Sequence, residues 1–315
     1  MATHEFWSAA CAQATRQPSA DARAFFEQWF TPQLVADDKG LSQGLLTGYY
    51  EPLLMGSLSP TPRFRHAVYS PPKDLLRIEA ADVYPELSRY RLRGRLADGK
   101  ITPYFSRGQI DSGQASLAGH ELVWVDDPIA LFFLHIQGSG KVALADGGQV
   151  RVGYADQNGH PYRAIGKVLI DRGELRKEHV SLQTIRDWLQ AHPDEAAEVM
   201  ASNPSYVFFQ LRPDSTDGPI GTQGVPLSAG HSIAVDTRHI ALGTPVYIES
   251  TWPTDGTSLR RLVVAQDTGG AINGAVRADL FLGNGPQAEQ DAGTMKQPLR
   301  LWVLRPKFTA TGSSP

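Results

Sequence analysis

Apolar positions in this chain follow helical spacing in only a few stretches, and elsewhere they fall in short blocks or alternate with polar neighbours. That texture predicts a mainly β protein with several short helices. Between residues 5 and 36, Ala22, Phe25, Phe26, Trp29 and Phe30 share one helix face, and Pro32 breaks the pattern. From Leu45 the chain reads Leu-Leu-Thr-Gly-Tyr-Tyr-Glu-Pro52, a short strand ending in a turn. Prolines 60, 62, 71 and 72 then mark an extended connector.

The middle of the chain mixes strands with helices. Asp127-Pro-Ile-Ala-Leu-Phe-Phe-Leu134 places Asp at an N-cap and Pro at the first helical position, and it is apolar on every side, which predicts a buried helix. It leads into His135-Ile-Gln-Gly-Ser-Gly140, whose small residues allow a ligand close to backbone amides. A helix from Ala164 ends near Gly173, Ser181 opens another with Ile185, Trp188 and Leu189, and Asp194 caps a third that stops at Asn203-Pro204. Strand texture returns at residues 206–211, 245–250, 261–266 and 299–304, with Pro253-Thr-Asp-Gly256 as a hairpin turn. The division expected is a discontinuous β domain, residues 1–75 with 213–315, interrupted by a second β-rich domain at 76–212.

At 315 residues and 41% apolar content the chain can bury two ordinary cores or one large one. A formal net charge of −3 argues against a nucleic-acid surface. Arg89, Arg91, Arg93 and Arg95 alternate, which reads as the solvated face of a strand. Cys11, alone, forms neither an internal disulfide nor a cysteine zinc cage. No run has the length of a membrane span, and the first residues lack the basic start and apolar stretch of an export signal. Ser8-Ala-Ala-Cys11 has the form of a lipoprotein processing site without the apolar segment that precedes one.

Three aspartates hold the candidate chemistry: Asp236, Asp267 and Asp279, each among apolar residues and each expected where a strand gives way to a loop. Carboxylates brought together push one another's pKa values apart, as acid/base work near neutrality requires. Structural roles remain open beside this: Asp279 as the cap of a helix from Leu280, Asp236 holding a turn, Asp267 bracing the Gly269-Gly270 loop. Asp267-Thr-Gly269 with Asp111-Ser-Gly113 has the form of an aspartic protease dyad, but the segment before Asp111 is not an apolar strand. Motifs for zinc hydrolysis, phosphate-binding loops and nucleophile elbows are absent, which leaves cofactor-free carbohydrate chemistry.

Four segments carry a resemblance: 45–52, 127–140, 203–209 and the stretch through Asp236, Asp267-Thr-Gly-Gly-Ala-Ile272 and Asp279. In that order, across about residues 20 to 305, they resemble the membrane-bound lytic murein transglycosylase A family, and the C-terminal part resembles the three-aspartate barrel domains of other cell-wall proteins. The resemblance implies a double-psi β-barrel built from both chain ends, an inserted β-rich domain, and a groove between them for a glycan strand. It implies cleavage, without water, of the β-1,4 bond between N-acetylmuramic acid and N-acetylglucosamine, leaving a 1,6-anhydromuramic acid end. Asp279 would be the single acid and base, with Asp267 and Asp236 beside it, and Thr102, Tyr104, Gln137, Gly138, Ser139, Asn203 and Tyr206 would contact sugar. It further implies a periplasmic monomer acting on peptidoglycan strands, with no metal, cofactor or nucleic acid, associated with the outer membrane in full-length form.

One acid suffices because the attacking group is the sugar's own carbon-6 hydroxyl, already tethered to the reacting ring. Such an acid must stay protonated at working pH, so neighbouring carboxylates and burial are expected to raise the Asp279 pKa, with Arg277 opposing. Two other readings compete: a non-catalytic glycan-binding barrel, and a hydrolase pairing Asp279 with Asp267.

Overall fold

The protein, seen in a computed structural model, is described over residues 3–16, 21–213 and 218–307. At the N-terminal end lie β1 (Phe30–Leu34) and β2 (Gly44–Glu51). The chain continues through β3 (Leu53–Ser57), β4 (His66–Tyr69), β5 (Leu76–Arg77), β6 (Arg93–Ala97), β7 (Lys100–Pro103), β8 (Glu121–Val125), β9 (Ser139–Leu144), β10 (Gln149–Gln157) and β11 (Val207–Arg212). It closes with β12 (Ser232–Val235), β13 (Pro245–Thr251), β14 (Ser258–Asp267), β15 (Arg277–Asn284) and β16 (Lys296–Pro306). Two compact units result: Met1–Thr47 with Gly230–Leu280 and Lys296–Pro315, and Gly48–Ala229 with Phe281–Met295.

In the first unit the strand order is β1-β16-β13-β14-β12-β15-β2, and β2 pairs back onto β16. Six strands therefore close into a barrel contributed by both chain ends, with β1 attached outside the ring along β16. Closure leaves the six ring strands without a free edge, and among the described residues of this sheet β1 alone presents one. Its interior follows the period of two: Val246 and Ile248, Val263 and Ala265, Ala278 and Leu280, Leu299, Leu301 and Val303 are buried. The helical pattern read across Phe30 and beyond ends earlier. A helix at Ala22–Trp29, capped by the Asp21 carboxylate, gives way to β1 at Phe30. Pro32 is tolerated there because β1 pairs with β16 alone.

The second unit holds a six-stranded sheet, β11-β10-β9-β3-β8-β4, and a three-stranded one, β5-β6-β7. The helix Pro128–Gln137 starts as expected, with the Asp127 carboxylate accepting from the Ile129 amide and Pro128 in its first turn. Its all-round apolarity serves two cores. Leu134 joins the sheet cluster of Val68, Val123, Val142 and Phe209, while Ile129, Phe132 and Phe133 join a helical cluster with Leu169, Trp188 and Leu189. Each such side chain removed from water stabilises by about 1.5–3 kcal/mol.

The units divide earlier than the 75/76 boundary expected from the sequence. β3 pairs with β8 and β9, and β4 pairs with β8, so residues 48–75 belong to the second unit and the proline-marked connector is one of its loops.

Candidate active site

The site is built on β12, a strand so short and buried that Ile233, Ala234 and Val235 all lie inside the barrel wall. Ala234 pairs with Asp267 of β14 on one side and with Asp279 of β15 on the other. Residues in register across a sheet share a face, so the two aspartates flank one small alanine, with Cα atoms about 10 Å apart, two strand spacings. A bulge makes this alignment. The β12–β14 register steps from Ile233↔Ala265 to Ala234↔Asp267, skipping Gln266, whose side chain instead accepts from the Ser232 hydroxyl. An extra residue in one strand re-aims the next side chain, here Asp267.

Asp267 closes β14 and Asp236 follows β12, as expected of strand-end acids, but Asp279 differs. It is the third residue of β15, and no helix begins at Leu280, which pairs with Ile233. The Asp279 Oδ1 accepts a hydrogen bond of 2.5 Å from the Thr47 hydroxyl on β2. The Thr47 oxygen in turn accepts from Arg277 Nη2 at 2.9 Å, and Arg277 Nη1 is held by the Ala278 and Leu45 carbonyls. Burial pushes the Asp279 carboxyl up to about 6; the Thr47 hydroxyl and the Arg277 charge pull it down, and Asp267 adds a smaller rise. Of the two causes expected from the sequence, burial is thus the larger and the carboxylate neighbour the smaller.

Asp236 is a different kind of group. Only 7% exposed, it accepts from Arg238 Nε at 2.9 Å, from the Arg238 amide at 3.1 Å and from the Gly274 amide at 2.8 Å, with Arg238 Nη2 also on Oδ2. The Arg238 guanidinium, with these amides, holds its carboxyl well below the usual range despite burial. An acid so ionised cannot donate a proton near neutrality. It ties the turn at 236–240 to the loop around Gly274, whose φ of 113° suits glycine. Asp267 Oδ1 accepts from the Thr268 amide at 2.9 Å. Among the described residues no group of three or more His, Cys, Asp or Glu is placed to hold a metal ion.

The residues expected to touch sugar lie in the second unit and separate into two sets. Tyr104, Tyr206 and Asn203 are 1%, 2% and 1% exposed. Tyr104 donates to Asp74 at 3.1 Å and packs with Tyr206 and Phe208; Tyr206 also lies against His135, its ring tilted; Asn203 Oδ1 accepts from the Arg163 and Ser205 amides. All three are buried with these partners in place, so their bonds serve the packing of the second unit. Thr102, Gln137, Gly138 and Ser139 keep part of their surface. Gln137 Oε1 accepts from the Tyr50 amide at 3.1 Å, and Gly138 ends the helix at φ 78°, with open space where a side chain would stand.

Of the alternating arginines Arg91 is exposed, but Arg93 and Arg95 are not simply a solvated face. Arg93 and Arg77 clamp the buried Asp156 carboxylate at 2.9 Å each, and Arg95 lies over the Phe105 ring; the side chain of Arg89 falls outside the described residues. Thr47 and the bonding role of Arg277 escaped the sequence reading. Thr47 stands inside the quoted 45–52 segment, but nothing in its neighbours tells where its hydroxyl points.

Comparison with known proteins adds to this geometry. Residues 45–210 match the family described as MltA specific insert domain, and residues 231–305 match the 3D domain. The membrane-bound lytic murein transglycosylase A of Escherichia coli is 36% identical over 286 residues, 88% of this chain and 68% of that protein. The crystal structure of MltA from Neisseria gonorrhoeae, monoclinic form, superposes with a TM-score of 0.81 at 38% identity, covering 98% of this chain and 85% of that one. The E. coli MltA crystal structure with bound chitohexaose gives 0.76 at 29% identity, covering 96% and 83%.

Proposed function

This chain belongs to the membrane-bound lytic murein transglycosylase A family, and from that premise we propose that it cleaves peptidoglycan glycan strands at the β-1,4 bond between N-acetylmuramic acid and N-acetylglucosamine without water. The observation that carries this reading is Asp279: a carboxyl pushed up to about 6 by burial, with one oxygen fixed by Thr47. An unperturbed aspartic acid at pH 7 is protonated in roughly one molecule per thousand, and a pKa near 6 raises that fraction by about a hundredfold. Protonated Asp279 donates to the departing glycosidic oxygen as its bond to carbon-1 breaks. The carbon-6 hydroxyl oxygen bonds to carbon-1, and the Asp279 carboxylate takes the hydroxyl proton, which closes the 1,6-anhydro ring and restores the acid. No second carboxylate is consumed in this cycle.

Asp267 contributes to the raised pKa from across Ala234, and Asp236 supports the loop that follows Asp267. Thr102, Gln137, Gly138 and Ser139 retain the exposure that sugar contact requires. The bound chitohexaose of the E. coli protein supports a β-linked amino-sugar polymer as substrate class. The relatives' names, membrane-bound and directed at murein, support a membrane-associated place in the cell envelope, and a periplasmic, outer-membrane-associated position is the reading proposed within it. Asp267 facing the same way as Asp279 also favours one alternative, hydrolysis with Asp267 as base.

Mass measurement of fragments released from murein strands separates the readings. Anhydro ends are one water lighter than hydrolytic ends, and a binding-only barrel releases nothing. Asp279→Asn is expected to abolish release while strand binding persists, and retained activity would end the single-acid assignment.

A further inference from the structure

A threonine hydroxyl has one proton to give, and an arginine guanidinium has no lone pair to receive it. Arg277 Nη2 donates to Thr47 Oγ1 at 2.9 Å, so the one Thr47 proton goes to Asp279 Oδ1 at 2.5 Å. Arg277, held by the Leu45 and Ala278 carbonyls, can only donate, so the Arg277–Thr47 half of this chain cannot reverse. A neutral Asp279 could donate to the second lone pair of Thr47 Oγ1 only by making the Thr47 proton give up this acceptor, so the arrangement favours Oδ1 as acceptor in both protonation states. We propose that Thr47 is a positioning residue that confines the acidic proton of Asp279 to Oδ2, so that one carboxylate oxygen both donates to the leaving oxygen and later receives the carbon-6 hydroxyl proton.

This inference rests on Asp279 as the acid and base, and it adds which atom does the work. The Thr47 bond strengthens as negative charge grows on the carboxylate, so it assists the step in which the proton departs. Charged groups around Asp279 come from its neighbouring strands: Arg277 of β15, Asp267 of β14, and Asp236 after β12, already spent on Arg238, while Ala234 of β12 carries none.

The test compares Thr47→Val, which removes the hydroxyl and keeps the branched shape, with Thr47→Ser, which keeps the hydroxyl. Carbon-13 NMR titration of the Asp279 carboxyl reads the bond directly, and pH profiles of kcat and KM for release of anhydro-ended fragments read its effect. Losing a hydrogen bond to the charged form should raise the Asp279 midpoint by about one to two pH units in the valine variant. The alkaline limb of the activity profile should move with it, kcat should fall at least about tenfold with KM unchanged, and serine should restore both. Should valine prevent folding, Thr47→Ala carries the same expectations. A midpoint that stays or falls, or a kcat loss that serine does not rescue, overturns the proposal. If Asp279→Asn is inactive while the valine titration is unchanged, the steering role alone fails; if Asp279→Asn is active, the parent reading fails.

Discussion

Replacing Asp279 by Asn should stabilise the protein while removing its activity. The carboxyl titrates near 6 in the folded protein against 3.8 unperturbed, a difference of about 2 units, each about 1.4 kcal/mol. Ionised Asp279 therefore opposes folding by about 3 kcal/mol relative to its neutral form. The sign follows from proton counting: between pH ~4 and ~6 the folded state binds the proton that the unfolded state has lost, so wild-type stability falls as pH rises through that window and then levels off. An asparagine keeps the shape and an oxygen for Thr47 but never ionises. Urea unfolding of both proteins from pH 3.5 to 8 should give curves that converge below pH ~4 and separate by about 3 kcal/mol above pH ~6.5, with asparagine the more stable. Equal stability at pH 7, or a gap that does not change between pH 4 and 6, would refute the claim that burial sets this group's pKa.

Asp236→Asn should act oppositely, costing about 1–3 kcal/mol because charge-assisted bonds to Arg238 and to the Gly274 amide weaken, with the lower end favoured by the exposure of Arg238. Since its carboxyl is held well below the usual range, that stability is present above pH ~4 and is lost on further acidification, so wild type and variant should converge in urea melts at low pH. Tyr104→Phe removes the bond to Asp74 and should cost about 1 kcal/mol while leaving KM for glycan strands unchanged; weakened substrate binding would return Tyr104 to the substrate surface.

Much of the barrel was legible because its strands alternate. Residues 245–250, 261–266 and 299–304 fall within β13, β14 and β16. The short β12 shows no alternation, since all four of its residues are buried, and only the apolar run before Asp236 marked it. β15, with its small and charged residues Arg277, Ala278 and Asp279, reads locally either as a strand end or as a helix start, and pairing with β12 decides for a strand that runs on past Asp279. The unit boundary was hidden for a similar reason: whether β3 joins one sheet or another depends on β8 and β9, far along the chain. Of the site, the three aspartates were visible as residue types, but their inequality was not. It is set by who reaches each carboxylate, Arg238 from two residues away for Asp236 and Thr47 from 232 residues away for Asp279. The register slip at Gln266 that turns Asp267 toward Asp279 has no signature in the residues themselves.

That separation of 232 residues also sets the order in which the molecule is made. Closing a loop of this length costs about 5 kcal/mol of chain entropy before any contact repays it. Most of the residues of the second unit, Gly48–Ala229, emerge from the ribosome before β12 exists, whereas the ring waits for β16, whose residues pair with β2. The acid and its threonine are thus among the last groups to meet. A chain interrupted between Asp279 and the final strand has the three aspartates and most of the fold, yet lacks the closed ring that holds them as a site, so the proposed capacity to cut a cell wall arrives only once β16 is made.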